Sequence, residues 1–279
     1  MNETSFNTMK CRGKIVDFSA PKIMGILNLT PDSFSDGGKF NSEENALKHA
    51  EKMILEGAEI IDIGPQSTRP GAEHLTANQE IERIGKVISK MKKEFPKVLI
   101  SVDTFYAETV KYCFDEGMDI INDISGGQYD EEMLKTTAET GLPYILMHVN
   151  PSYDSMHEKN IQEDIILNIN RYFSEKIEVL RNFGVKDIIL DPGFGFGKTV
   201  EQQHQMMDEL QHISFGKYPL LVGISRKSFI YKPLGKNPLD IDEETQQLHL
   251  KVLEKGAKIL RVHDVASAKR TLDKFFKYI

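Results

Sequence analysis

Eight short β-prone runs recur along this 279-residue chain, and each is followed by a stretch with helical spacing. They are IMGILNLT (23–30), EIIDIG (59–64), LISVDT (99–104), IINDIS (120–125), YILMHV (144–149), DIILDPG (187–193), PLLVGIS (219–225) and KILRVH (258–263). Ile, Leu and Val dominate with little polar alternation, the pattern of parallel strands covered on both faces. After the first run, Asn41 and Glu44 have capping-box spacing, Ala46, Leu47, Ala50, Met53 and Ile54 follow at helical intervals, and Gly57 supplies a stop. Similar amphipathic stretches lie near 78–94, 106–117, 130–141, 160–183, 200–212, 243–256 and 266–277. This alternation predicts an α/β fold, a single (β/α)8 TIM barrel over residues 1–279, with an open doubly wound sheet as the alternative. Residues 5–20 carry a turn-like Arg12-Gly13 between β-prone stretches and predict a hairpin capping the bottom of the barrel.

The composition narrows the classes of partner. A formal net charge of −7 offers nucleic acid no global attraction, so any anionic ligand needs a local cluster of basic groups. No apolar run reaches the roughly 18 residues of a membrane span, and MNETSFNTMKCRGK has no apolar h-region, so the expectation is a cytoplasmic protein. Cys11 and Cys113 are too few for a disulfide framework and have no metal-ligand spacing.

In a (β/α)8 barrel the chemistry sits at the C-terminal ends of the strands. Those ends are polar here: Asn28, Asp62, Asp103, Asn122 with Asp123, His148, Asp191, Ser225 to Lys227, and Arg261 with His263. Any one of them has an ordinary structural explanation, because buried Asp and Asn often only bind loop amides. Gathering several acids and bases around one mouth is costly unless they pair or bind something. Arg261 and His263, two apart on one strand, share a face and offer a planar fork and a second donor for an anion. The alternative is that Asp264 or another carboxylate satisfies them.

Two motifs resemble familiar sites but fail on spacing. DPGFGFGKT (191–199) ends like a phosphate-binding loop, yet the first glycine of that pattern falls on Pro192, and Lys198 stands where a dinucleotide fingerprint needs its third glycine. The expectation is that its glycines bring the backbone near a ligand beside Asp191, with Phe194 and Phe196 as aromatic surface. His148, His157 and His204 lack a metal-ligand partner at a suitable spacing.

MGILNLTPDSFSDGG (24–38) resembles the first signature of the dihydropteroate synthases, and IIDIGPQSTRPGA (60–72) the second. SVDT, INDISGG, LMH, LDPGFGFGKT, LLVGISRKS and RVHD follow in that family's order, so the likeness covers nearly the whole chain. It implies a pterin-binding barrel that condenses 6-hydroxymethyl-7,8-dihydropterin pyrophosphate with p-aminobenzoate, uses Mg2+, forms a homodimer and is a sulfonamide target. By the same resemblance, Asn28 matches the magnesium-associated residue, and Thr68, Arg261 and His263 match pyrophosphate binders. Asp103, Asn122, Asp191 and Lys227 match the pterin pocket, with Met147 against the ring. Phe34, Thr68, Pro70, Ser225 and Lys227 match the p-aminobenzoate side, and Asp32 and Arg69 lie on loops over the reacting centre. The implied catalytic set is Asn28, Asp103, Lys227, Arg261 and His263.

The chain departs from the family in two places. Gly64-Pro65-Gln66 stands where Gly-Gly-Glu is usual, and the sequence after His148 differs from the commoner Met-Gln-Gly form. The rival readings are a methyltransferase barrel that binds a methylated folate, which needs neither a pyrophosphate clamp nor STRPG, and a non-catalytic pterin binder, against which the complete ionisable set argues.

Overall fold

The computed structural model describes residues 7–29, 38–66, 74–149, 161–213 and 215–278, without the side chains of 38–42 and 278. Strands β1 (Thr8–Cys11) and β2 (Lys14–Asp17) pair antiparallel. Their turn falls on Arg12 and Gly13, both at positive φ (47° and 82°), the backbone a two-residue hairpin turn requires. This is the expected hairpin.

Strands β3 (Lys22–Asn28), β4 (Ile60–Gly64), β5 (Leu99–Asp103), β6 (Ile120–Asp123), β7 (Tyr144–Met147), β8 (Ile188–Asp191), β9 (Leu220–Val222) and β10 (Ala257–Val262) close into a barrel in chain order, with β10 beside β3. Every neighbouring pair is parallel. The open-sheet alternative is therefore excluded. Around the barrel run α1 (Gly38–Leu55), α2 (Ala77–Ile84), α3 (Val87–Glu94), α4 (Ala107–Glu116), α5 (Met133–Thr140), α6 (Ile165–Phe183), α7 (Val200–Asp208), α8 (Ser228–Tyr231), α9 (Asp242–Glu254) and α10 (Val265–Tyr278).

Two local expectations need correction. Asn41 lies inside α1, which begins at Gly38, so it is not the N-cap. Among the described residues, Thr76 with Gln79 on α2 and Thr199 with Gln202 on α7 form capping boxes. The stretch 78–94 is also two helices, α2 and α3, broken at Gly85-Lys86.

Residue period two sorts the barrel interior into layers. Met24, Ile60, Leu99, Ile120, Ile145, Ile189, Leu221 and Ile259 form one buried cluster with Met9, Cys11 and Phe18 from the hairpin region. Burying each large aliphatic side chain contributes roughly 1.5–3 kcal/mol of transfer free energy. This apolar floor helps offset the cost of the layer above it, because two residues further along the strands stand Asp62, Ser101, Asn122, Met147, Asp191 and Arg261. The intervening residues, among them Ile61, Ile63, Ile100, Val102 and Ile121, face outward and join the larger core with Ala46, Ala50, Met53 and Val110 of the helices. Lys10 N–H donates to Asp187 Oδ2 at 2.9 Å, which ties the hairpin to the barrel. Both cysteines are free and buried, and burial pushes the Cys11 thiol up to about 12. No helix among the described residues is long and apolar enough to cross a membrane.

Candidate active site

Arg261 occupies the middle of the polar layer. Its Nε donates to Asp62 Oδ2 at 2.7 Å and its Nη2 to Asp103 Oδ2 at 3.1 Å. Asn122 Nδ2 also donates to Asp62 Oδ2, at 3.1 Å. Strands β4, β5, β6 and β10 thus meet in one network, which is possible because all four side chains point into the barrel. Asp264 accepts from Ser267 N–H at 2.9 Å at the start of α10, so the alternative that another carboxylate satisfies Arg261 is what the structure shows, with Asp62 and Asp103 in that place. Burial works against the Arg261 cation, but Asp62 and Asp103 outweigh it and raise its pKa. Burial pushes the Asp103 carboxyl up to about 7 against the pull of Arg261, and the nearby carboxylates of Asp62, Glu80 and Asp123 add to the rise.

Across the mouth, Asp191 Oδ1 accepts from Gly193 N–H at 2.8 Å. Burial raises its pKa, opposed by that hydrogen bond and by Lys227, Arg261 and Lys198. The Lys227 ammonium lies 4.2 Å from the centroid of the Phe196 ring, and burial draws its pKa down to about 8, with Arg261 adding to the fall. Arg226, between Ser225 and Lys227, has a φ of 59°, an uncommon conformation for a non-glycine residue. Met147 is buried beside Phe105, Ile124 and Val149.

The stretch 191–199 is built differently from its expectation. A Cβ on Gly193 would lie 2.3 Å from the carbonyl oxygen of His148, and one on Gly195 would lie 2.8 Å from Lys227 Cδ. These glycines admit protein neighbours, the end of β7 and the Lys227 stem. Phe194 is also core, packed against Phe229, so only Phe196 has the expected place near the mouth. Lys198 Nζ donates to the carbonyls of Gly193 at 2.9 Å and Phe196 at 3.0 Å, and reaches that of His148 at 3.4 Å. It therefore fastens the loop after β8 to the end of β7, a role distinct from that of a phosphate-loop lysine.

At the rim, His263 Nδ1 lies 3.1 Å from Ser225 Oγ, and that hydroxyl also accepts from His263 N–H at 3.3 Å. Asn28 pairs in register with Gly64, where a Cβ would stand 3.2 Å from Asn28 Oδ1. Asp32, Phe34, Thr68, Arg69, Pro70 and His157 lie outside the described residues. Sequence reasoning placed Asp62 among the polar strand ends but left it out of the candidate site. Its position two residues after inward-facing Ile60 was the signal that it shares the layer of Asn122 and Arg261. Lys198 and Gln66 were also missed as organising residues, and their roles depend on which carbonyls and carboxylates come near.

A floor of carboxylates, a carboxamide and a lysine suits a flat heterocycle with amide-like edges, and an imidazole, a hydroxyl and an amide oxygen stand above it. Fold and mouth together define a ligand-binding (β/α)8 barrel enzyme. Residues 24–263 match the family described as pterin binding enzyme. The chain is 43% identical over 246 residues to a dihydropteroate synthase of Synechocystis, covering 87% of this chain and 85% of the relative. The structure of Xanthomonas albilineans dihydropteroate synthase with 4-aminobenzoic acid is similar at a TM-score of 0.90, with 32% identity over 98% of each chain. That of the Yersinia pestis enzyme with a sulfonamide drug complex gives a TM-score of 0.90, with 37% identity over 97% of this chain and 98% of the other. The chain belongs to the pterin-binding enzyme family, among its dihydropteroate synthases.

Proposed function

We propose that this protein condenses 6-hydroxymethyl-7,8-dihydropterin pyrophosphate with p-aminobenzoate to give 7,8-dihydropteroate and pyrophosphate. The observation that carries the reading is the Asp62–Arg261–Asp103 network with Asn122, set beside Asp191 and Lys227 above an apolar floor. Asp103, Asn122 and Asp191 accept from or donate to the edge of the pterin, Lys227 meets its carbonyl, and Met147 packs against its face. Arg261, His263 and Thr68 hold the pyrophosphate. Phe34, Thr68, Pro70, Ser225 and Lys227 form the p-aminobenzoate side, with Asp32 and Arg69 over the reacting centre.

Among the described residues, no group of three His, Cys, Asp or Glu side chains is placed to hold a metal ion. The hard amide oxygen of Asn28 at the mouth fits Mg2+, which commonly takes few protein ligands and fills its octahedron with phosphate oxygens and water. When bound there, Mg2+ would neutralise charge on the pyrophosphate. The C–O bond to pyrophosphate breaks with its electron pair leaving on oxygen, and Arg261 and His263 stabilise that departing charge. The dihydropterin is left as a delocalised cation facing Asp103. The neutral arylamine nitrogen then forms the C–N bond and loses a proton.

Residues 1–279 act as one barrel domain in this reading, and the protein is a cytoplasmic homodimer. Pyrophosphate release by the purified protein, measured with each substrate alone and with both together, tests the reaction. Release that needs no arylamine and yields no pteroate, or no release at all, would overturn it.

A further inference from the structure

Two side chains clasp the loop 193–197 that follows β8. Lys198 Nζ donates to Gly193 O at 2.9 Å and Phe196 O at 3.0 Å, and it reaches His148 O, at the end of β7, at 3.4 Å. Gln203 of α7 is buried; its Oε1 accepts from Gly195 N–H at 2.7 Å, and its Nε2 donates to Lys198 O at 3.3 Å. Phe196 N–H also donates to Gly193 O at 3.2 Å, so the loop closes on itself between the two clasps. The same loop packs on Lys227. The centroid of the Phe196 ring is 4.2 Å from Lys227 Nζ, and a Cβ on Gly195 would stand 2.8 Å from Lys227 Cδ.

An ammonium has three N–H donors, and here three carbonyl oxygens meet them; a carboxamide can serve an N–H and a carbonyl at once, as Gln203 does. Gly193 and Gly195, at φ of 72° and 83°, supply the backbone that this arrangement needs. Burial draws the Lys198 pKa down to about 7, with Asp191 opposing the fall and Lys227 adding to it. The neutral amine still has two N–H groups for the two short contacts, so the clasp persists in either form. On the third side the His148 ring is held neutral by burial and by Lys198. The charged groups facing Lys227 are Arg261 on β10, Asp191 on β8 and Asp103 on β5. Its ammonium is attracted to the Phe196 ring, yet burial has the larger effect and lowers its pKa.

We propose that Lys198 and Gln203 are positioning residues for Lys227: by clasping the loop 193–197 they hold Phe196 and Gly195 against its side chain and limit its contact with water. The clasp is a property of the free protein. Its consequence for turnover rests on the condensation proposed above, in which Lys227 stands preset before any ligand enters.

The test follows the titration of Lys227 in the ligand-free protein, by NMR of lysines labelled with carbon-13 at Cε, from about pH 6.5 to about pH 11, a span that includes ordinary and depressed lysines. Lys227→Arg assigns the signal by deleting it. Gln203→Leu and Lys198→Met should each raise the midpoint by about one unit or more toward the ordinary lysine value, because a released loop lets water reach the ammonium. Gln203→Leu changes no charge, so its shift reports the loop alone. Phe196→Leu leaves both clasps in place, since they hold main-chain groups, and removes only the ring. It should lower the midpoint by roughly half a unit, the scale of one lost cation–ring contact.

An unchanged Lys227 midpoint in any of the three variants, with the fold retained by circular dichroism, would overturn the proposal. If Gln203→Leu does not fold, Lys198→Met and Phe196→Leu decide it through their opposite shifts. Pteroate formation is measured on the same proteins, and the alkaline limb of the rate should move with the midpoint. A wild type that makes no pteroate sinks the condensation reading while the ligand-free titration still decides the clasp. Normal turnover with a fixed midpoint sinks the clasp alone.

Discussion

Arg261 Nε and Asp62 Oδ2 lie 2.7 Å apart inside the barrel, and Asp62 has no solvent exposure. The guanidinium is thereby fixed from below while Asp103 holds its other end. Asp62 therefore serves the site through Arg261 and Asn122, and a ligand in the mouth meets a cation whose orientation is already set.

Removing Asp62 should leave the buried Arg261 charge with Asp103 as its remaining carboxylate partner. Asp62→Ala is expected to lower stability by roughly 3 kcal/mol, the usual scale for breaking one side of a buried ion pair. Asp62→Ala with Arg261→Met should lose less than the sum of the single losses. Urea denaturation of the four proteins checks this, and strict additivity would show that the pair is not coupled.

Asp103→Asn and Lys227→Ala are each expected to reduce turnover at least about a hundredfold, the scale for losing a charged group that acts on the transition state. Both side chains belong to the mouth and not to the apolar floor, so circular dichroism should show a retained fold. A fully active variant would remove its residue from the site.

Lys227 sets a sign for pH dependence. Its pKa is lowered from 10.5 to about 8, so the ammonium proposed to meet the pterin carbonyl disappears as pH rises through about 8. Pterin affinity should fall there, measured by calorimetry. In the free protein the same shift acts in reverse: between the two values the unfolded chain binds more protons, so the contribution of Lys227 to stability increases with pH. Lys227→Arg, charged throughout, should remove both trends. An unchanged alkaline limb in that variant would assign it to another group.

Magnesium should tighten binding of the pterin pyrophosphate and hardly affect the unphosphorylated hydroxymethyl pterin, because only the first presents a cluster of hard oxygens. Asn28→Ala should weaken the effect. Calorimetry with both ligands decides, and an equal effect on the two would mean that Asn28 is misassigned.

The barrel was legible because its strands are runs of Ile, Leu and Val that repeat eight times, and the hairpin because Arg12-Gly13 can take positive φ. The polar strand ends were legible too, since little else explains Asp103, Asn122, Asp191 and Arg261 at equivalent points of successive repeats. What one local window does not carry is who meets whom. Arg261 finds Asp62 from 199 residues away, and Gln66 finds Glu80 from 14 residues away. Lys198 sits in a stretch that looks made for phosphate, yet it binds carbonyls because the glycines around it bring the end of β7 within reach. Asn41 failed as a cap because α1 already extends to Gly38.

The hairpin and the eight apolar side chains beneath Arg261 turn the barrel into a cul-de-sac. Traffic in such a chamber is last in, first out. In the condensation proposed above, a ring seated on Asp103 and Asp191 passes the rim on its way in. The joined product must back out along the route by which the ring entered, so it competes with the next pterin for the same doorway.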